Sequence, residues 1–102
     1  MAVLSTVPCY HTIRCKGVVL GQRDLVLLDR GSRHNFIDAN MVEKRNILVE
    51  PFDGFIVVIP GHNTMQCKTW VPKLQVIVGN YNFFDSFYVV DVADTNVVLG
   101  VK

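Results

Sequence analysis

Alternating apolar and polar positions, broken by short glycine-bearing or polar clusters, make this chain strand-rich along most of its length. His11 to Val19 and Arg23 to Leu28 are aliphatic or β-branched runs parted by Leu20-Gly21-Gln22, which predicts a hairpin. Phe55 to Ile59 and Thr64 to Val71 predict a second pair of strands around Pro60-Gly61-His62-Asn63, a strong turn signal. Leu74 to Val78 and Tyr81 to Phe84 flank Gly79-Asn80, which suits a tight connection. Phe87 to Val92 and Asn96 to Val101 complete the set. One segment departs from the pattern. Asp38 can cap a first helical turn, Met41 and Val42 supply an apolar stripe, and Lys44 and Arg45 suit the negative end of a helix dipole. Asn46 tolerates the left-handed conformation that stops a helix, so the predicted helix is Asn40 to Arg45.

Roughly seven or eight short strands and one short helix predict an all-β fold, a small closed or nearly closed β-barrel. At 102 residues the chain has material for one modest core, so residues 1–102 are expected to form a single domain. Half the residues are hydrophobic (50%) and 19% are charged, a balance that suits folding rather than disorder. The net charge of +1, with no basic block, argues against a dedicated nucleic-acid surface. No apolar run reaches the roughly 20 residues that span a bilayer, so no membrane partner is expected. Met1 to Thr12 also lacks the basic start and long apolar core of a signal peptide. Cys9, Cys15 and Cys67 are odd in number and form no Cys-x-x-Cys pair, which points to free thiols in the cytoplasm or another reducing compartment. Cys9, His11 and Cys15 would share one strand face, but their spacing fits no common zinc module. Neither a metal nor another cofactor is expected.

The candidate chemistry lies between Leu25 and Asp38, LVLLDRGSRHNFID. Four apolar residues run into Asp29, and Gly31 and Ser32 follow. An apolar strand that ends on a carboxylate and turns on a glycine sets an acid at the floor of a cleft. Burying such a group is costly unless it has a partner or a task. The plainer alternative is a turn aspartate that accepts nearby amides. Gly31 reads as a backbone requirement of the tight turn. Ser32 either supports the aspartate or satisfies a loop amide. His34 reads as a surface or packing histidine. Trp70 and Phe55 either line a groove or belong to the core.

This loop resembles that of the aspartic proteases, Asp-Thr/Ser-Gly-Ala/Ser after hydrophobic residues. It is most similar to the retropepsin-like domains of plant long-terminal-repeat retrotransposons. The resemblance covers His11 to Val101. HTIRCKGVVLGQRDLVLLD resembles the family's opening hairpin and catalytic strand, and GSRHNFIDANMVEKRNILVEP the segment after the loop. FIVVIPGHNTMQCKTW resembles the flap hairpin, with Pro60, Gly61, His62 and Asn63 at its tip. FDSFYVVDVADTNVVLGV resembles the closing strands, with Val98, Leu99 and Gly100 behind the active-site loop.

The resemblance implies a retropepsin-type barrel and a half-enzyme, with Asp29, Gly31 and Ser32 as the catalytic loop. A chain with one such loop needs a two-fold partner, so activity implies a homodimer with one Asp29 from each copy. The two carboxylates would share a proton and hydrolyse an extended polypeptide held beneath the flap. Two residues depart from the family pattern. Arg30 stands where a Ser or Thr hydroxyl crosses the dimer axis, and Arg33 replaces a small polar residue. The family's C-terminal helix and interface strand have no counterpart within the 102 residues. Two functions therefore stand side by side: an aspartic endopeptidase, favoured by Asp29, and a catalytically impaired pseudoprotease serving as a protein-binding or assembly module, favoured by Arg30. An unrelated small β-barrel that binds a ligand is the third.

Overall fold

The computed structural model describes residues 2–3, 12–58, 64–92 and 95–100. The elements are β1 (Ala2–Val3), β2 (Thr12–Val19), β3 (Gln22–Asp29), β4 (Phe36–Asp38), α1 (Ala39–Lys44), β5 (Glu50–Val58), β6 (Thr64–Val78), β7 (Tyr81–Val90) and β8 (Val97–Gly100). They form one eight-stranded sheet in the order β1-β5-β6-β2-β3-β8-β4-β7. A further pairing of β6 with β7 closes β6, β2, β3, β8, β4 and β7 into a ring. The fold is thus all-β with one short helix, as the strand pattern predicts.

Strand alternation sorts the buried side chains into two clusters on opposite faces of this sheet. Val26, Ile37, Phe87, Val97 and Leu99 join Val19, Met41, Val42, Val71, Leu74 and Val76 in the larger one. Their immediate neighbours Phe36 and Val98 join Cys67 and Val90 in the other, with Leu27, Phe52, Tyr88 and Val92 packed against them. β3 and β8 run parallel, as do β4 and β7. Strands covered on both faces lose the apolar–polar alternation, which explains the unbroken runs LVLL in β3 and VVL in β8.

Long-range pairing redraws several boundaries. Thr64 to Val71 and Leu74 to Val78 are one strand, β6. Pro72 and Lys73 sit at a register shift against β7, where Lys73 adopts φ 103°, so a residue pair that reads locally as a break is absorbed as a bulge. β7 likewise continues through Asp85 and Ser86 because β6 lies alongside. β5 begins at Glu50 rather than Phe55, with a shift between Pro51 and Phe55. β1 and β4 have no counterpart among the predicted strands; three residues suffice for β4 because β8 and β7 flank it.

The helix starts one residue early, at Ala39, and Asp38 occupies its N-cap position without making a side-chain cap. The expected cap is corrected by the sheet: Asp38 belongs to β4, and its carboxylate accepts the Val92 N–H at 3.2 Å. Asn46 ends the helix at φ 52°, in the left-handed region as expected. The two hairpin turns also take their predicted places. Gly79, at φ 59°, opens the second one. The first is less comfortable, because Leu20 at φ 50° precedes Gly21 at φ 81°. Positive φ at both central residues is the pattern of a type I′ turn, which favours Asn-Gly, whereas the left-handed region costs an ordinary L-residue about 1–2 kcal/mol. Leu20 is 59% exposed, so little burial is forfeited by changing it. Leu20→Asn is expected to stabilise the chain by about 1 kcal/mol, a rise of about 4–8 °C in melting temperature for a domain of this size. A thermal melt of the two proteins checks it; an unchanged or lower midpoint removes the strain argument.

Candidate active site

β3 delivers Asp29 as its last residue, opposite Thr12 of β2 and Gly100 of β8. Because β8 lies between β3 and β4, the segment 30–35 has to pass over the end of β8 to reach β4. It does so in contact with Gly100. A Cβ on that residue would stand 2.6 Å from the Ser32 carbonyl oxygen and 2.8 Å from that of His34, so only glycine lets the two backbones meet. The glycine expected behind the loop is thus a steric requirement of the crossing.

Asp29 is 8% exposed, and its Oδ1 accepts the Gly31 N–H at 2.8 Å. Its main-chain carbonyl accepts the Ser32 N–H at 3.4 Å. The role expected of Gly31 changes in one respect. Its φ lies outside the left-handed region, so the turn does not need glycine for its backbone conformation. Glycine matters there for room: a Cβ would sit 3.3 Å from the Asp29 carboxylate. Ser32 settles on the second of its two readings. Its Oγ donates to the His34 carbonyl at 2.7 Å and accepts the His34 N–H at 3.2 Å, stiffening the loop rather than touching Asp29. Arg30 and Arg33 are exposed and make no side-chain hydrogen bond among the described residues.

Leu27 lies two positions before Asp29 and therefore shares its face of β3. That face carries the second apolar cluster and its aromatic ring system. Tyr88 is at the centre: Trp70 stacks on it at 5.9 Å, Phe52 lies 5.2 Å away, and Phe36 6.2 Å away. His34 meets the Tyr88 ring edge-on at 5.4 Å, which makes it a packing histidine. Trp70 joins the ring system through Tyr88 and Phe52; the Phe55 side chain lies outside the described residues. Tyr88 and Phe52 escaped sequence reasoning, although the period of β7 would have set Tyr88 on the face opposite Phe87. Asn35 escaped it as well. Its 8% exposure inside the run Asn35-Phe36-Ile37 is a signal that only burial reveals.

Cys15 and Cys67 are free thiols. Burial pushes the pKa of both upward, and Cys67 further spends its S–H on the carbonyls of Thr69 and Val89 at 3.5 Å. Thiols whose pKa is raised are poorer nucleophiles. Among the described residues no group of His, Cys, Asp and Glu is arranged to hold a metal ion, and no helix is long and apolar enough to cross a membrane. Cys9, His11 and the predicted flap tip, Pro60, Gly61, His62 and Asn63, lie outside the described residues.

No curated protein matches the chain. The family model of the retroviral aspartyl proteases matches residues 10–102. That span takes in the hairpin that delivers Asp29, the strand that carries Gly100 beneath its loop, and everything between them. The chain carries a retropepsin-like aspartic protease domain and belongs to the retroviral aspartyl protease family.

Proposed function

We propose that the chain is one half of an aspartic endopeptidase, whose catalytic dyad forms when two copies bring their Asp29 loops together across a two-fold axis. The observation that carries this reading is the setting of Asp29: nearly enclosed, with Oδ1 held by the Gly31 amide and an apolar, aromatic surface along the same sheet face. Oδ2 makes no hydrogen bond among the described residues and is the oxygen left for the reaction. Two such carboxylates a few ångströms apart keep one proton between them. The ionised one takes a proton from water as the water oxygen bonds to the scissile carbonyl carbon, and the protonated one donates to the carbonyl oxygen. Collapse of the tetrahedral adduct then breaks the C–N bond, with a proton going to the leaving amine. The substrate is an extended polypeptide, bound as an added strand, and apolar side chains suit the surface beside Leu27. Free thiols fit a reducing compartment.

A second reading rests on Arg30, a guanidinium where the family pattern has a hydroxyl. In that reading the fold persists as a pseudoprotease that binds or assembles proteins. Digestion of a peptide library across the acid pH range separates the two. The chain is expected to cleave slowly, and Asp29→Asn is expected to lose cleavage altogether. Equal cleavage by both proteins would refute a role for Asp29. No cleavage by either, with a monomeric mass across a concentration series, would reject the dimeric protease and favour the pseudoprotease.

A further inference from the structure

We infer that Asn35 is the positioning residue of the Asp29 loop, holding it through a three-point anchor that ties the loop's exit to β8 and β7; as a statement about catalysis this rests on the reading above. Ser32 braces the loop from within, but nothing in that brace attaches it to the sheet. Beside the edge contact of His34 with Tyr88, Asn35, which is 8% exposed, ties the loop to the sheet by hydrogen bonds to two strands. Its Oδ1 accepts the Gly100 N–H at 2.9 Å. Its Nδ2 donates to the Ser86 carbonyl of β7 at 3.2 Å. Its own carbonyl accepts the Tyr88 N–H at 2.9 Å.

The chemistry selects asparagine narrowly. One group at the end of a single methylene must accept from β8 and donate to β7 at once. Aspartate accepts but, when ionised, cannot donate; leucine does neither; glutamine carries the same group too far. Gly100 is the point where this matters most. It stands opposite Asp29 in the β3–β8 register and directly beneath the Ser32 and His34 carbonyls. The bond from Asn35 to the Gly100 N–H therefore fixes the strand end on which the loop rests. Through that contact it sets where the Gly31 amide, and with it the Asp29 carboxylate, is held.

The test is amide hydrogen exchange by NMR on the native chain, Asn35→Ala and Asn35→Asp, alongside peptide cleavage. Losing a buried hydrogen bond makes local opening about tenfold easier, so Asn35→Ala is expected to speed exchange at Gly100 and Gly31 by about that factor. Amides of the β2–β3 hairpin are expected to stay as they are. In Asn35→Asp the ionised carboxylate is repelled by the Ser86 carbonyl that Nδ2 bonds in the native chain, which draws it off the Gly100 N–H; protonated, it can donate to Ser86 again, so protection at Gly31 is expected to return as pH falls through its titration. A merely structural role would not produce that profile, and it is read within one folded protein even if Asn35→Ala does not fold. In cleavage the expected mark is a fall in kcat with KM little changed. Unchanged exchange at Gly31 in Asn35→Ala, or a pH-independent Asn35→Asp, overturns the inference. Exchange that behaves as expected, with cleavage indifferent to Asp29→Asn, instead upholds the anchor and rejects the protease reading.

Discussion

Arg30→Ser is expected to raise peptide cleavage by about tenfold or more and to shift the chain toward dimer. Arg30 follows Asp29 directly and is exposed, with no side-chain partner among the described residues. In a two-fold dimer built around Asp29 the two Arg30 side chains approach one axis. Like charges oppose that approach, and a guanidinium has no acceptor with which to answer a neighbour. A serine hydroxyl both donates and accepts, so each copy can bond the opposite loop, at about 1 kcal/mol per bond. A cation beside the dyad also favours ionised carboxylates and works against the shared proton. Every 1.4 kcal/mol recovered in the transition state is about tenfold in rate. The expected gain should be largest at mildly acid pH, where one proton per pair is easiest to keep. Sedimentation and library digestion of the native chain, Arg30→Ser and Arg30→Ser with Asp29→Asn test this together. Robust native cleavage that Arg30→Ser does not improve would show that the guanidinium turns clear of the axis. A monomeric, inactive Arg30→Ser would favour the binding module.

The largest expected loss of stability comes from Arg45→Leu, far from that loop. Arg45, just past α1, grips Asp24 near the start of β3 with its two terminal guanidinium nitrogens, Nη1 and Nη2, at 2.7 and 2.5 Å. The Asp24 side chain is only 3% exposed, that of Arg45 21%. The hydrogen bond to Asp24, with the attraction between the charges, pushes the guanidinium pKa upward against desolvation. Removing the cation strands a buried carboxylate, which costs about 3–5 kcal/mol. Against a total stability of about 5–15 kcal/mol, that loss brings the chain close to unfolding. Arg45→Lys should recover part of it, since one ammonium cannot make the paired bonds. Asp24→Leu combined with Arg45→Leu should recover more, because no unpaired charge remains. Urea titrations with unchanged m-values measure all three. A cost below about 1 kcal/mol for Arg45→Leu would class the pair with ordinary surface bridges. Read locally, Arg45 suits the helix dipole; Asp24 is remote along the chain and nothing local announces it.

The same divide between near and far runs through the whole molecule. Properties set within a few residues were legible from the sequence alone. Strand periodicity located β2, β3 and the ends of β6 and β7. Glycine and asparagine marked both hairpins and the end of α1. The apolar run into Asp29-Arg30-Gly31-Ser32 marked an enclosed acid. These follow from local sterics and from the period of side chains along a strand, which each short segment carries by itself.

What only the tertiary structure decided depends on partners far away in the chain. The parallel pairing of β3 with β8 joins residues 71 positions apart, from Val26 opposite Val97 to Asp29 opposite Gly100. From that pairing come the passage of the loop over Gly100, the steric need for glycine there, and the reach of Asn35 to both β8 and β7. It also gives β4 its place between β8 and β7, and leaves Asp38 close enough to Val92 to serve the sheet instead of the helix. A hydrogen-bonding side chain carries no mark of which distant backbone it will meet. Its partner is chosen by strand order and register, and those emerge only when the ring closes.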